Sequence, residues 1–209
     1  VVVVLSGVRT AIGTFGGSLK DVAPTDLAGQ VVKEAVERSG LKPEDIEHVT
    51  IGNVTHSDRR DMYMSRVAAL KGGLPEETPA VTVNRLCGSC LQAIISAAQM
   101  VLLGDAEAVV AGGAESMSRV PYWIPNARWG ARMGDSQMVD AMIGALTCPM
   151  NDTHMGITAE NVAEQWDVTR EQQDELAALS HNRAQNAIAN NYFDSQIMPV
   201  ELKTRKGVT

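Results

Sequence analysis

The chain lacks most of what would staple it, anchor it or fit it to a polyanion. Cysteine is scarce: Cys87, Cys90 and Cys148 are the only three in 209 residues. An odd, low number in a long chain suits a reducing compartment and excludes a disulfide framework, so a cytoplasmic location is expected. Positive charge is also short, with 18 Lys and Arg against 25 Asp and Glu, a net charge of −7 and a pI near 5.1. Phosphate backbones are bound by clustered basic surfaces, which excludes nucleic acid as a main partner. One local basic cluster remains, Arg119, Arg128 and Arg132, set with Trp123 and Trp129 in a Pro-containing stretch. Unbroken apolar runs such as 101–103 and 108–111 fall far below the roughly 18 residues that span a bilayer, and no membrane span is expected. The opening VVVVL has no positive flank and no small-residue cleavage site, so it reads as a buried strand and not as a signal peptide. There is no internal repeat and no low-complexity segment.

What is present is the composition of an ordinary globular protein, 44% hydrophobic and 21% charged, long enough for one substantial core or two small ones. The β-branched run at 1–5 feeds a loop that carries Gly7, Gly13, Gly16 and Gly17. Thr25 and Asp26 then supply an N-cap and a first-turn acid for a helix with Leu27, Val31, Val32, Ala35 and Val36 at helical spacing and Gly40 as its stop. Further along, 48–54 reads as a strand, 62–71 as a helix closed by Gly72 and Gly73, and 80–86 as a strand. The next helix, from Gly88, is apolar on most sides and so is expected to be buried; 107–112 is a further buried strand. Alternating strands and helices imply an α/β fold, a mostly parallel sheet flanked by helices. After Ser118 the pattern changes to an aperiodic, Pro- and Trp-containing excursion. It is followed by helices at 136–146, 158–166 and 169–190, with Thr169 and Gln172 in the form of a capping box, and by a strand at 197–203.

"NRLCGSCLQAI" contains a CxxC, and its chemistry is open on pattern alone. Cys87 follows a strand and precedes a helix, with Gly88 and Ser89 small enough for a tight turn. The positive end of a helix dipole favours a thiolate and any oxyanion beside it, so the place suits a nucleophile; a buried structural cysteine suits it too. Zinc would need about four ligands, and no second CxxC or HxxxH completes a set, so no metal is expected. A thioredoxin-like pair also opens a helix after a strand, but two βα units precede this one. Neither "GGAES" nor "GTFGGS" matches a dinucleotide fingerprint or a P-loop.

Four stretches in order, "SGVRTAIGTFGGSLKD", "VNRLCGSCLQAI", "VVAGGAESMSR" and "HMGITAENVAE", resemble the thiolase family, in its acetyl-CoA acetyltransferase and β-ketothiolase branch, over essentially the whole chain as far as "RKG". The resemblance implies a thiolase-like layered fold with a core half at 1–117 and an inserted loop (lid) domain beginning at 118–209. It implies that Cys87 is the catalytic nucleophile, forming an acyl-thioester that divides one hard carbon–carbon step into two easier ones. By the same resemblance His154, Met155 and Leu146 border the acyl and pantetheine pocket, although a lone histidine is more often structural. Glu115 is expected to brace the active-site loops through hydrogen bonds. Coenzyme A thioesters are implied as substrates, with no resident cofactor, and a homotetramer of tight dimers is implied as the assembly, residues 122–134 providing tetramer contacts. In such proteins a second half supplies an activating histidine, a second cysteine and further oxyanion donors, so a fragment of a longer chain is expected. The family carries glycine where this chain has Cys90, which raises the question of crowding beside the nucleophile. Two other classes stand beside the acyltransferase: a non-catalytic acyl-CoA or lipid-binding relative, and a dithiol redox protein using Cys87 and Cys90.

Overall fold

A computed structural model describes residues 1–204 and 207–208; Arg205, Lys206 and Thr209, two of them in the "RKG" sequence, lie outside the described residues. The chain forms two compact units, one of Val1–Val120 with the segment that returns at Gln196, the other of Pro121–Ser195.

The first unit is built on three parallel strands in the order β2-β1-β3: β1 (His48–Gly52), β2 (Ala80–Val83) and β3 (Val109–Gly113). Two helices, α1 (Pro24–Ser39) and α2 (Met64–Lys71), pack against each other and against one face. Ala28, Val32 and Val36 of α1 meet Val49 and Ile51 of β1 and Met64, Ala68 and Ala69 of α2 in the core. Strand residues alternate between faces, so Gly52, next to Ile51, points the other way, toward α3 (Ser89–Leu103). Pro24 opens α1 at its first turn, where its missing N–H costs no bond, and Gly40 ends it at φ 78°. Ala23, not Thr25, occupies the N-cap position; Thr25 is buried inside the helix.

Several expectations are corrected. Residues 1–5 form no strand and are exposed, because an unbroken apolar run needs cover on both faces and neighbours on its edges. Near it, only Arg9 finds a β partner among the described residues: its N–H donates to the Gln196 carbonyl (2.9 Å), and its carbonyl accepts from Met198 N–H (2.9 Å), a parallel bridge to Ile197. The strand expected at 197–203 is reduced to that bridge, since Pro199 has no N–H to continue a ladder; Lys203–Thr204 (β8) pairs instead with Gly207–Val208 (β9).

Helix α3 is not buried all round. Ser89, Ala93 and Ala97 lie on the sheet, while Leu91 (63% exposed), Ile95, Leu102 (69%) and Leu103 face outward. The stretch Leu86–Leu103 is also long and apolar enough to cross a membrane by length and composition, a property that unbroken runs alone did not show and that core helices of globular proteins share. Uncharged polar residues such as Ser89, Gln92 and Ser96 interrupt the run. Its helical part is 15 residues, about 22 Å against a hydrocarbon core of about 30 Å, and one side of it is fixed to the sheet.

In the second unit β4 (Tyr122–Trp123) pairs with β5 (Val139–Asp140), and β6 (Thr147–Cys148) with β7 (Thr153–His154), both antiparallel. The helix expected at 136–146 shrinks to α4 (Ala141–Ala145). Asp140 starts it there, its carboxylate accepting from Met142 N–H at 2.8 Å, and Val139 is held in the ribbon. Helices α5 (Met155–Gln165) and α6 (Arg170–Ala189) follow. The Thr169–Gln172 capping box is formed, with Gln172 Oε1 accepting from Thr169 N–H at 2.9 Å and Thr169 Oγ1 from Gln172 N–H at 3.3 Å.

Candidate active site

Strand β2 stops at Val83, three residues before the expected end, because the chain must turn sharply to enter α3. Asn84 Oδ1 accepts from Leu86 N–H (3.0 Å), and Leu86 adopts φ 49°. The Ser89 hydroxyl accepts from Arg85 N–H (2.9 Å) and donates to the Leu86 carbonyl (2.6 Å). Cys87 sits at the apex of this turn, exposed, with a free thiol. Its N–H donates to no acceptor among the described residues. Gly88 provides no side-chain cap for α3, and no acidic residue lies in the first turn, so the positive helix end stays uncompensated beside the sulfur.

The floor beneath this turn is glycine. A Cβ on Gly52 would lie 2.6 Å from Ser89 C and 2.8 Å from Cys90 N, so only glycine lets the first turn of α3 rest on the sheet. Gly113 lies beside Gly52 in register, and a Cβ there would lie 2.0 Å from Cys90 Sγ. The Cys90 side chain therefore lies over Gly113, in space that a side chain on β3 would otherwise occupy.

Two carboxylates brace the loop that leaves β1. Glu115 accepts from Asn53 Nδ2 (3.2 Å), Val54 N–H (2.9 Å), Thr55 N–H (3.1 Å) and the Thr55 hydroxyl, the brace expected of it. Asp61, fully buried, accepts through Oδ2 from Ser57 N–H (2.8 Å), the Ser57 hydroxyl (2.7 Å) and Asp58 N–H (3.0 Å). Beside it Arg60 pairs with Asp58 (3.1 Å) and Asp26 (3.7 Å), Lys71 with Asp26 (2.6 Å), and Arg119 with Asp58 (3.8 Å). The Arg60 hydrogen bonds hold the Asp58 carboxyl at about 2, and the Asp58 carboxylate in return raises the Arg60 guanidinium above its ordinary value.

The remaining predicted residues lie in the second unit. His154 ends β7 and is the N-cap of α5, its Nδ1 accepting from Gly156 N–H at 3.0 Å. Leu146 ends α4, half-buried, and its carbonyl accepts from Met155 N–H at 2.9 Å. The β6–β7 hairpin thus brings Leu146, His154 and Met155 together, with Met155 exposed. Cys87 belongs to the first unit.

The sequence alone pointed to no role for Asn84, Gly52, Gly113 or Asp61, and to Ser89 only as a small residue in a tight turn. For the glycines a signal existed: glycine at a strand end marks close backbone approach. For Asp61 the only hint was a short polar cluster after a strand, "HSDRRD", a pattern shared by many surface loops.

A family model described as "Thiolase, N-terminal domain" matches residues 2–209. A β-ketothiolase, BktB, of Cupriavidus necator is 61% identical over 206 residues, 99% of this chain and 52% of the relative. An acetyl-CoA acetyltransferase of the same organism is 47% identical over 207 residues, again 52% of its length. Among solved structures, Bacillus anthracis acetyl-CoA acetyltransferase superposes with a TM-score of 0.94 at 43% identity, covering 99% of this chain and 52% of that one. Human mitochondrial 3-ketoacyl-CoA thiolase gives 0.93 at 38% identity, covering 98% and 52%. The chain spans about half the length of the curated relatives it matches.

Proposed function

The chain belongs to the thiolase family, and from that premise we propose that it carries the nucleophile of an acyltransferase that makes or cleaves 3-ketoacyl-CoA. The observation that carries the reading is Cys87: an exposed free thiol at a strand-to-helix turn, with its own N–H open and the uncapped end of α3 beside it.

The Cys87 thiolate attacks the thioester carbonyl carbon of an acyl-CoA. The carbonyl oxygen becomes an oxyanion, for which Cys87 N–H is a donor, and coenzyme A leaves as its thiol with the proton that Cys87 gave up. Acetyl-CoA then loses an α-proton, its carbon attacks the acyl-enzyme carbonyl, the carbon–sulfur bond to Cys87 breaks, and the 3-ketoacyl-CoA leaves as the Cys87 sulfur takes up the proton equivalent lost from the α-carbon. Thiolysis is the same sequence in reverse. Leu146, His154 and Met155 are assigned to the acyl and pantetheine pocket, and coenzyme A thioesters act as substrates with no resident cofactor. The outward face of α3 is assigned to the second half of the longer protein, and a cytoplasmic homotetramer is the expected assembly.

The test is intact-mass analysis of the full-length protein after incubation with acetyl-CoA. An acetyl adduct that maps to Cys87 supports the reading. A loss of two hydrogens on mild oxidation, with no adduct, supports the dithiol alternative.

A further inference from the structure

We propose that Ser89 and Asn84 are positioning residues that set the direction of the Cys87 N–H by fixing the conformation of Leu86; the inference rests on the reading of Cys87 as nucleophile. Leu86 is a branched L-residue at φ 49°, a conformation such side chains rarely adopt, and it persists only where the surroundings over-determine it. Its own side chain does not do so, being 61% exposed. Its two peptide groups do. Leu86 N–H is held by Asn84 Oδ1 at 3.0 Å, and the Leu86 carbonyl accepts from both Ser89 Oγ (2.6 Å) and Ser89 N–H (2.9 Å).

The Leu86 carbonyl and the Cys87 N–H belong to one peptide plane and, in a trans peptide, point in opposite directions. Ser89 draws the carbonyl inward, so the N–H is turned outward, away from every protein acceptor described. Ser89 is itself fixed: it is 3% exposed, its hydroxyl also accepts from Arg85 N–H (2.9 Å), and its backbone rests on the bare Cα of Gly52. Neither Ser89 nor Asn84 needs to touch substrate for this role. They hold in advance a donor that would otherwise swing with the turn, and pre-set donors of this kind carry much of the rate in acyl transfer.

The role is separable from proton transfer by Ser89. Glycine enters the left-handed region without strain, so Leu86→Gly lowers the cost that the clamp must hold down and leaves any need for a proton carrier as it was. In the full-length protein, the rate of Cys87 acetylation by acetyl-CoA is followed by quenched intact mass, with unfolding midpoints recorded for each variant. Ser89→Ala is expected to slow acetylation about 10–100-fold at unchanged half-saturating acetyl-CoA, and Ser89→Ala/Leu86→Gly to recover at least half of that loss on a logarithmic scale. Asn84 is exposed, so Asn84→Ala carries the same test should Ser89→Ala fail to fold. A folded variant of either residue that acetylates within twofold of the parent overturns the inference, and so does a double variant no faster than Ser89→Ala. Cys87→Ala that still forms the adduct overturns instead the assignment of the nucleophile.

Discussion

Gly113 and Cys90 share one volume. The sulfur stands where a β3 side chain would begin, so the crowding expected of a cysteine in a glycine position is relieved by a second glycine, 23 residues downstream on another element. Gly113→Ala forces the two together; Cys90 is exposed, so its sulfur can leave this rotamer, and the change is expected to cost about 1 kcal/mol. Removing the sulfur with Cys90→Gly in the same chain should recover most of that loss, because residues in contact do not add. Urea unfolding of the two singles and the double reads the coupling, and strictly additive losses would sink the idea. This also shows what a sequence can carry at the scale of one residue. Cys87 was legible because a β-branched run, a small-residue turn and a helix adjoin it. The fit of Cys90 was not, because it depends on a partner that only the β1–β3 register brings near.

Between elements, the loop that leaves β1 is tied by charge to α1, α2 and the exit of β3. Asp58 is the hub, bonded to Arg60 and facing Arg119, with its carboxyl held at about 2. A carboxyl whose folded value is depressed adds stability above its unfolded value, near 4, and that stability is lost as pH falls toward 2. A carbon-detected titration of the Asp58 carboxyl should show a midpoint near 2; one near 4 would mean that the pairing does not form in solution. Legibility at this scale follows pattern length. The sheet strands and α1 to α3 fall within a few residues of their expected places because long apolar repeats end in glycine. Residues 1–5 and the helix at 136–146 fail for opposite reasons, an apolar run without neighbours and a helical pattern cut short by the Asp140 cap.

For the molecule as a whole, the outward face of α3 matters most. Leu91, Ile95 and Leu102 give it an exposed apolar stripe, and contiguous apolar surface of this sort marks an interface or an aggregation site. The proposal that the second half covers it makes a paired prediction. Leu91→Lys with Ile95→Lys should reduce dye binding and pelleting of the 209-residue chain made alone, and should lower the unfolding midpoint of the full-length protein. An unchanged midpoint in the full-length protein would show that nothing packs there.

The bridge between Arg9 and Ile197 has a consequence in time. Every pairing of the three-stranded sheet is complete once Gly113 has been made, whereas Arg9 must wait for Ile197, more than 80 residues later. At about 5–20 residues per second on the ribosome, that interval is about 4–17 s. For those seconds the sheet that carries Cys87 can be paired while Arg9 has no strand beside it, an interval in which a chaperone has the exposed apolar run at residues 1–5 to hold.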